Sequence, residues 1–126
     1  MAVALSMLTS SRVDGFLVVG VSGELDMHAA PALRQALSQA RDEATLIVSL
    51  EGVAYIDSSA LTELIREQKD RSKRGLRLEI VLPPARLRRV FEITGLDRWL
   101  TCFFDLSAAL VAARTGTASG PIPSEG

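Results

Sequence analysis

The sequence predicts an α/β fold: one small domain with a mixed, mostly parallel β-sheet of roughly four to five strands and about four helices. Three observations carry that expectation. Short β-branched apolar runs alternate with segments of helical spacing, and glycines and prolines punctuate the joins. A chain of 126 residues with 48% apolar content also suits a single hydrophobic core. The domain is expected over residues 1–114, with a disordered tail over 115–126.

The elements follow in order. Val3–Leu8 (VALSML) alternates weakly and is expected as an edge strand. Phe16 to Ser22 is a firmer strand, with Val18, Val19 and Val21 set between glycines. No helix fits between these two runs, so the pair adds an antiparallel or edge element. Residues 23–26, Gly-Glu-Leu-Asp, turn the chain, and Ala29, Leu33, Ala36, Leu37 and Ala40 then make one apolar helical stripe. Thr45–Leu50 (TLIVSL) is short and continuously apolar in character, the mark of a strand covered on both faces. A further strand-like run, GVAYI, breaks at Asp57. After Ser58 and Ser59, Leu61, Leu64, Ile65 and Gln68 share a helix face, and Gly75 stops that helix after a basic last turn. Leu76–Leu82 is a strand ended by Pro83 and Pro84, which pre-set a helix carrying Leu87, Val90 and Phe91 and closed by Gly95. LTCFF is a short strand, and Asp105 caps a last helix from Leu106 to about Arg114.

Composition removes several function classes. The net charge of −1 gives no general attraction to polyanions. Arg66, Lys69, Arg71, Lys73, Arg74 and Arg77 form a basic run, but Glu63, Glu67 and Asp70 interrupt it, so it reads as a solvated helix face and no nucleic-acid partner is expected. No run approaches the ~18 apolar residues of a membrane span, so no direct membrane contact is expected. MAVALSMLTSSR lacks the features of a signal peptide, which points to a cytoplasmic location. A lone Cys102 excludes an internal disulfide, makes a thiolate zinc site implausible and reads as packing. Gly15, Gly20 and Gly23 do not make a dinucleotide fingerprint, and no phosphate-loop lysine motif exists, so no cofactor is expected. His28, Asp26 and Ser58 have the residue types of a catalytic triad, but the nucleophile-elbow motif is missing, and His28 reads as a surface residue. Trp99 and Phe103 are expected in or near the core, and Asp42 and Glu43 as solvated loop charge.

Asp57, Ser58 and Ser59 hold the chemical interest. Each is a good N-cap, because its side-chain oxygen can accept from the unpartnered N–H groups of a first turn. Capping needs only one of them. The break falls at the carboxyl end of a strand in a mainly parallel sheet, where such folds place their sites. A hydroxyl there is exposed in the positive field of the helix, which tolerates a phosphate. Phosphorylation would bring roughly −1.5 to −2 charges beside Asp57 and repel a partner docked over the helix start.

VAYIDSSALTELI resembles the signature of the STAS domain in bacterial anti-sigma factor antagonists, where a strand ends in Asp-Ser-Ser and a helix begins. GELDMHAAPALRQAL and RLRRVFEITGLDRWL resemble two further motifs of that family, and the likeness runs from about Val3 to Ala113. The resemblance implies a non-enzymatic protein whose Ser58 is phosphorylated by an anti-sigma factor that is itself an ATP-dependent serine kinase. Unphosphorylated, such a protein binds the anti-sigma factor and frees a sigma factor; phosphorylation ends the binding until a phosphatase resets it. Asp26, Asp57, Ser58, Ser59 and Ala60 are the implied partner-binding residues, on a monomer or weak dimer. Ala60 stands where the family commonly has glycine, and its methyl group is expected to crowd a closely docked backbone. The alternative is a STAS subunit of an ABC-type membrane transport assembly, bound to its ATPase component without serine phosphorylation.

Overall fold

The computed structural model describes residues 7–82 and 85–116. Its sheet begins with a hairpin: β1 (Met7–Val13) pairs antiparallel with β2 (Phe16–Leu25) across Asp14-Gly15. Both turn residues have positive φ, 54° and 85°, as a type I′ turn requires and an Asp-Gly pair readily supplies. Residues 3–6 of the expected Val3–Leu8 strand fall outside the described residues; Met7 and Leu8 lie in β1, which runs on to Val13. Thr9, Ser10, Ser11 and Arg12 are exposed along it, and polar side chains on an edge discourage pairing with other chains. Arg12 fixes the hairpin with two parallel hydrogen bonds to Glu43, of 2.9 and 2.7 Å. Glu43 is thus half-buried in an ion pair rather than solvated, and the Arg12 hydrogen bond holds its carboxyl below the ordinary range.

Strands β3 (Thr45–Ile56), β4 (Arg77–Val81) and β5 (Thr101–Phe103) join in parallel, giving the sheet order β1-β2-β3-β4-β5. Four helices connect them or follow: α1 (Ala30–Gln39), α2 (Ser58–Arg74), α3 (Ala85–Thr94) and α4 (Leu106–Thr115). The expected class and helix count are observed, with an added 3-10 turn at Leu96–Arg98. Thr115 ends α4 and Gly116 caps it, so the first two residues of the expected tail belong to the domain; residues 117–126 lie outside the described residues. Both β2 and β3 outrun their expected ends. They stay paired through two register irregularities, and Gly52 sits so close to β2 that a Cβ there would lie 2.7 Å from Ser22 Cβ.

Alternation along β3 sends Leu46, Val48 and Leu50 to one face and Ile47 to the other. The first face meets Leu33 and Leu37 of α1, Leu64 of α2, and Leu87 and Phe91 of α3. On the second face α4 sets Ala109, Leu110 and Ala113 against Val18, Ile47 and Val81. Trp99 corrects an expectation: it is 65% exposed, because the 3-10 turn buries Leu96 and Leu100 on either side of it. Phe103 is half-buried at the sheet edge.

The basic run is not a uniformly solvated face either. Arg71 is fully buried, and its guanidinium donates to the carbonyls of Ala40, Glu43 and Arg77 (2.6, 2.7 and 3.1 Å) and to the Glu67 carboxylate (2.8 Å). One side chain thereby ties the end of α2 to the end of α1, the following loop and the start of β4. Removing one partner from so buried a network costs about 3–5 kcal/mol. Nearer the start of α2, the buried Glu63 carboxylate accepts from Arg34 of α1 at 2.9 Å, and that hydrogen bond keeps its pKa low.

Glu79 of β4 is fully buried, with Oε2 accepting from Arg77 at 2.7 Å and Oε1 unpartnered among the described residues. Burial raises its pKa, with Arg77 opposing the shift. The folded state therefore holds this proton more tightly than the unfolded chain does. The resulting stability is present at low pH and lost as pH rises through the raised pKa. In Glu79→Gln the melting temperature relative to the parent should rise as pH climbs above the ordinary glutamate pKa of about 4.3. Thermal melts across that range check this, and a constant difference would contradict it.

Candidate functional site

Parallel pairing sets Glu24 beside Tyr55 and Leu25 beside Ile56, so β2 and β3 end side by side, about 4.8 Å apart. The Asp57 N–H donates to the Leu25 carbonyl at 3.0 Å and closes the last rung. Immediately beyond it each chain turns toward a helix, with Asp26 leading to α1 and Asp57 to α2.

Asp57 is the N-cap of α2. Its backbone is extended (φ −112°, ψ −179°), and Oδ1 accepts from the N–H groups of Ser59 at 2.9 Å and Ala60 at 3.2 Å. Asp26 acts in the same way in the turn before α1: its Oδ1 accepts from the N–H groups of His28 and Ala29, at 2.9 and 3.2 Å. Both carboxylates are thus held by backbone at neighbouring strand ends.

Because Asp57 does the capping, the serines are released from it. Ser58 is the first residue of α2, is exposed, and its hydroxyl makes no hydrogen bond among the described residues. Its carbonyl accepts from Thr62 Oγ1 at 2.7 Å. The other first-turn donors are taken: Ser59 and Ala60 by Asp57 Oδ1, and Leu61 by the Asp57 carbonyl at 3.1 Å. The Ser58 N–H remains without an acceptor among the described residues, at the positive end of a 17-residue helix. An anion on the Ser58 hydroxyl would find that donor and that field.

The other expected residues divide. Ser59 is half-buried and supplies an N–H to the cap. Ala60 departs from expectation: it is fully buried in the main core, so its methyl group packs inward and is not presented to a docked partner. Its small side chain fills core volume at a position where the helix turns its inner face to the sheet. His28 is exposed and meets Asp26 only through its backbone N–H; no side-chain hydrogen bond joins His28, Asp26 and Ser58. No group of three or more His, Cys, Asp or Glu among the described residues could hold a metal ion. Sequence reasoning missed two neighbours, Met27 (64% exposed) and Tyr55 (52% exposed), which flank the aspartates along the chain and add apolar surface to the rim. Tyr55 had a legible signal, a bulky aromatic two residues before the aspartate, but its exposure required the strand to be placed.

Comparison with known proteins finds relatives in sequence and in fold. The STAS domain family model matches residues 8–109. A Staphylococcus aureus protein named anti-sigma-B factor antagonist is 38% identical over 91 residues, covering 71% of this chain and 84% of that one. The crystal structure of an anti-sigma factor antagonist from Mycobacterium paratuberculosis superposes with a TM-score of 0.80 at 32% identity, over 87% of this chain and 95% of that one. The Bacillus cell fate determinant SpoIIAA, solved in its phosphorylated form, shares the fold with a TM-score of 0.66 at 24% identity, over 86% of this chain and all of that one.

The division of labour between Asp57 and Ser58 is open to test. Asp57→Ala should cost about 1 kcal/mol, the worth of an N-cap, whereas Ser58→Ala should stay within about 0.5 kcal/mol of the parent. Urea unfolding of the two variants checks this; equal losses would show that Ser58 shares the cap.

Proposed function

The chain belongs to the STAS domain family, and from that premise we propose that it is an anti-sigma factor antagonist switched by phosphorylation of Ser58. The relatives named as such antagonists support the general role. The observation that carries the switch is the free, exposed hydroxyl at the start of α2, beside a cap already supplied by Asp57.

In the unmodified protein, the exposed turn after Asp26 and the start of α2 form the docking face. Met27 and Tyr55 offer apolar surface there, and Asp26, Asp57, Ser58 and Ser59 offer polar contacts. The partner is an anti-sigma factor with serine-kinase activity, whose capture frees a sigma factor in the cytoplasm. The same partner delivers the modification. The Ser58 oxygen attacks the γ-phosphorus of ATP held by the kinase, the bond to ADP breaks, and the hydroxyl proton passes to a base of the kinase. This chain supplies the acceptor oxygen and its position, and no catalysis or cofactor of its own. A phosphatase restores the hydroxyl by hydrolysis.

Phosphorylation opposes docking in two ways. The added charge stands beside the Asp57 carboxylate, and its oxygens must shed water before a partner can cover them. Little refolding is required, because the Ser58 N–H and the helix dipole accommodate the new group.

Incubation with the kinase and ATP, followed by peptide mass spectrometry, should place one phosphate on Ser58. Ser58→Ala should take up none and still bind the anti-sigma factor. Ser58→Asp should bind about a hundredfold more weakly, equivalent to about 3 kcal/mol. Label elsewhere, or parental affinity in Ser58→Asp, would overturn the switch.

A further inference from the structure

Away from Ser58, the same carboxyl-terminal rim of the sheet holds a cavity of about 290 Å³ between α3, the 3-10 turn, β5 and the start of α4. That volume is at the lower end for small-molecule sites. Its walls are mostly apolar: Leu82, Phe91, Cys102, Phe103, Phe104 and Ala108. It lies where β4 and β5 end, and open α/β sheets place ligands beyond such strand ends. The Cys102 thiol in its wall is pushed up to about 12, chiefly by burial and further by the charge of Asp97, as expected of a poorly hydrated space.

The charge at the mouth is asymmetric. Arg88 lies over the Phe104 ring, 4.8 Å from its centroid, and Phe104 itself is 68% exposed. Arg88 and Glu92 also line an adjoining surface cleft with Arg86 and Arg89. Arg86 and Arg89 are exposed and unpaired among the described residues. All three arginines stand in the first half of α3, whose dipole adds to their positive field. The opposing acids are Glu92, one turn further along α3, and Asp97 on the Cys102 side. A bound anion is therefore drawn to the α3 start and turned away from the thiol end.

We propose that this cavity binds a small apolar carboxylic acid, with its aliphatic or aromatic body against the phenylalanines and its carboxylate on Arg88. Arg86 and Arg89 strengthen the anionic preference from the adjoining cleft. The site is separate from the phosphorylation proposal and survives its failure.

The test uses the full chain and anilinonaphthalene sulfonate, itself an apolar anion, as a fluorescent probe. Saturable probe binding is expected, displaced by octanoate if the body is aliphatic or by hydrocinnamate if it is aromatic, and not by octylamine. Arg88→Glu should weaken the probe about tenfold, which corresponds to about 1.4 kcal/mol. Ala108→Trp, which fills the mouth from an exposed helix position, should abolish binding while far-ultraviolet circular dichroism and the melting temperature stay close to those of the parent. Arg88→Gln, on the same half-exposed site, gives an independent readout if α4 does not accept the larger ring. Absence of saturable binding in the parent, undiminished binding in Arg88→Glu and Arg88→Gln, or displacement by octylamine as effective as by the acids would overturn the assignment.

Discussion

Asp57 commits its backbone and its side chain to different elements. The N–H donates to Leu25 and ties the end of β3 to the end of β2, while Oδ1 receives the first two N–H groups that follow Ser58 in α2. The first contact places the Asp26 loop and the Ser58 turn at one rim. The second relieves Ser58 of any capping duty. Were the aspartate absent, a serine would be the next available cap, and its hydroxyl would be engaged by backbone where the proposed switch requires it free. In the proposed switch the cap therefore matters beyond the helix it starts.

The platform behind that rim is held by buried charge as well as by apolar packing. Arg71 joins three backbone carbonyls at the far end of α2, and Glu63 joins α1 to α2 nearer the start. These contacts resist rotation or sliding of α2 relative to the sheet; the Arg71 network does so in a fully buried setting, and the buried Glu63 carboxylate does so through the exposed Arg34. The functional helix is thus anchored at both ends, which favours a switch acting through charge at the surface over one acting through helix movement.

Much of this was legible in the chain, and the exceptions have physical causes. Alternating strand and helix patterns marked the parallel core, because the first half of β3 is covered on both faces and reads as a continuous apolar run, while Leu76–Leu82 alternates before becoming continuous. The continuation of the edge strand to Val13 was missed because Thr9, Ser10 and Ser11 carry no apolar signal; the Asp14-Gly15 pair was the available clue. Arg71 looked like one more charge in a mixed run, and only tertiary contacts reveal that backbone carbonyls surround it. Ala60 was placed on the docking face from its position in the motif, whereas helix phase turns it into the core. Ser58 was identifiable by type and position, but its freedom from hydrogen bonding depended on which neighbour took the cap.

Whether the added charge acts on a rigid platform is tested most directly by amide hydrogen exchange on the Ser58-phosphorylated chain against the unmodified one. Protection across α2 and β3 is expected to be unchanged, with differences confined to the amides at the helix start. Faster exchange throughout α2 would contradict this, because the modification would then be melting the helix instead of altering the charge on its surface.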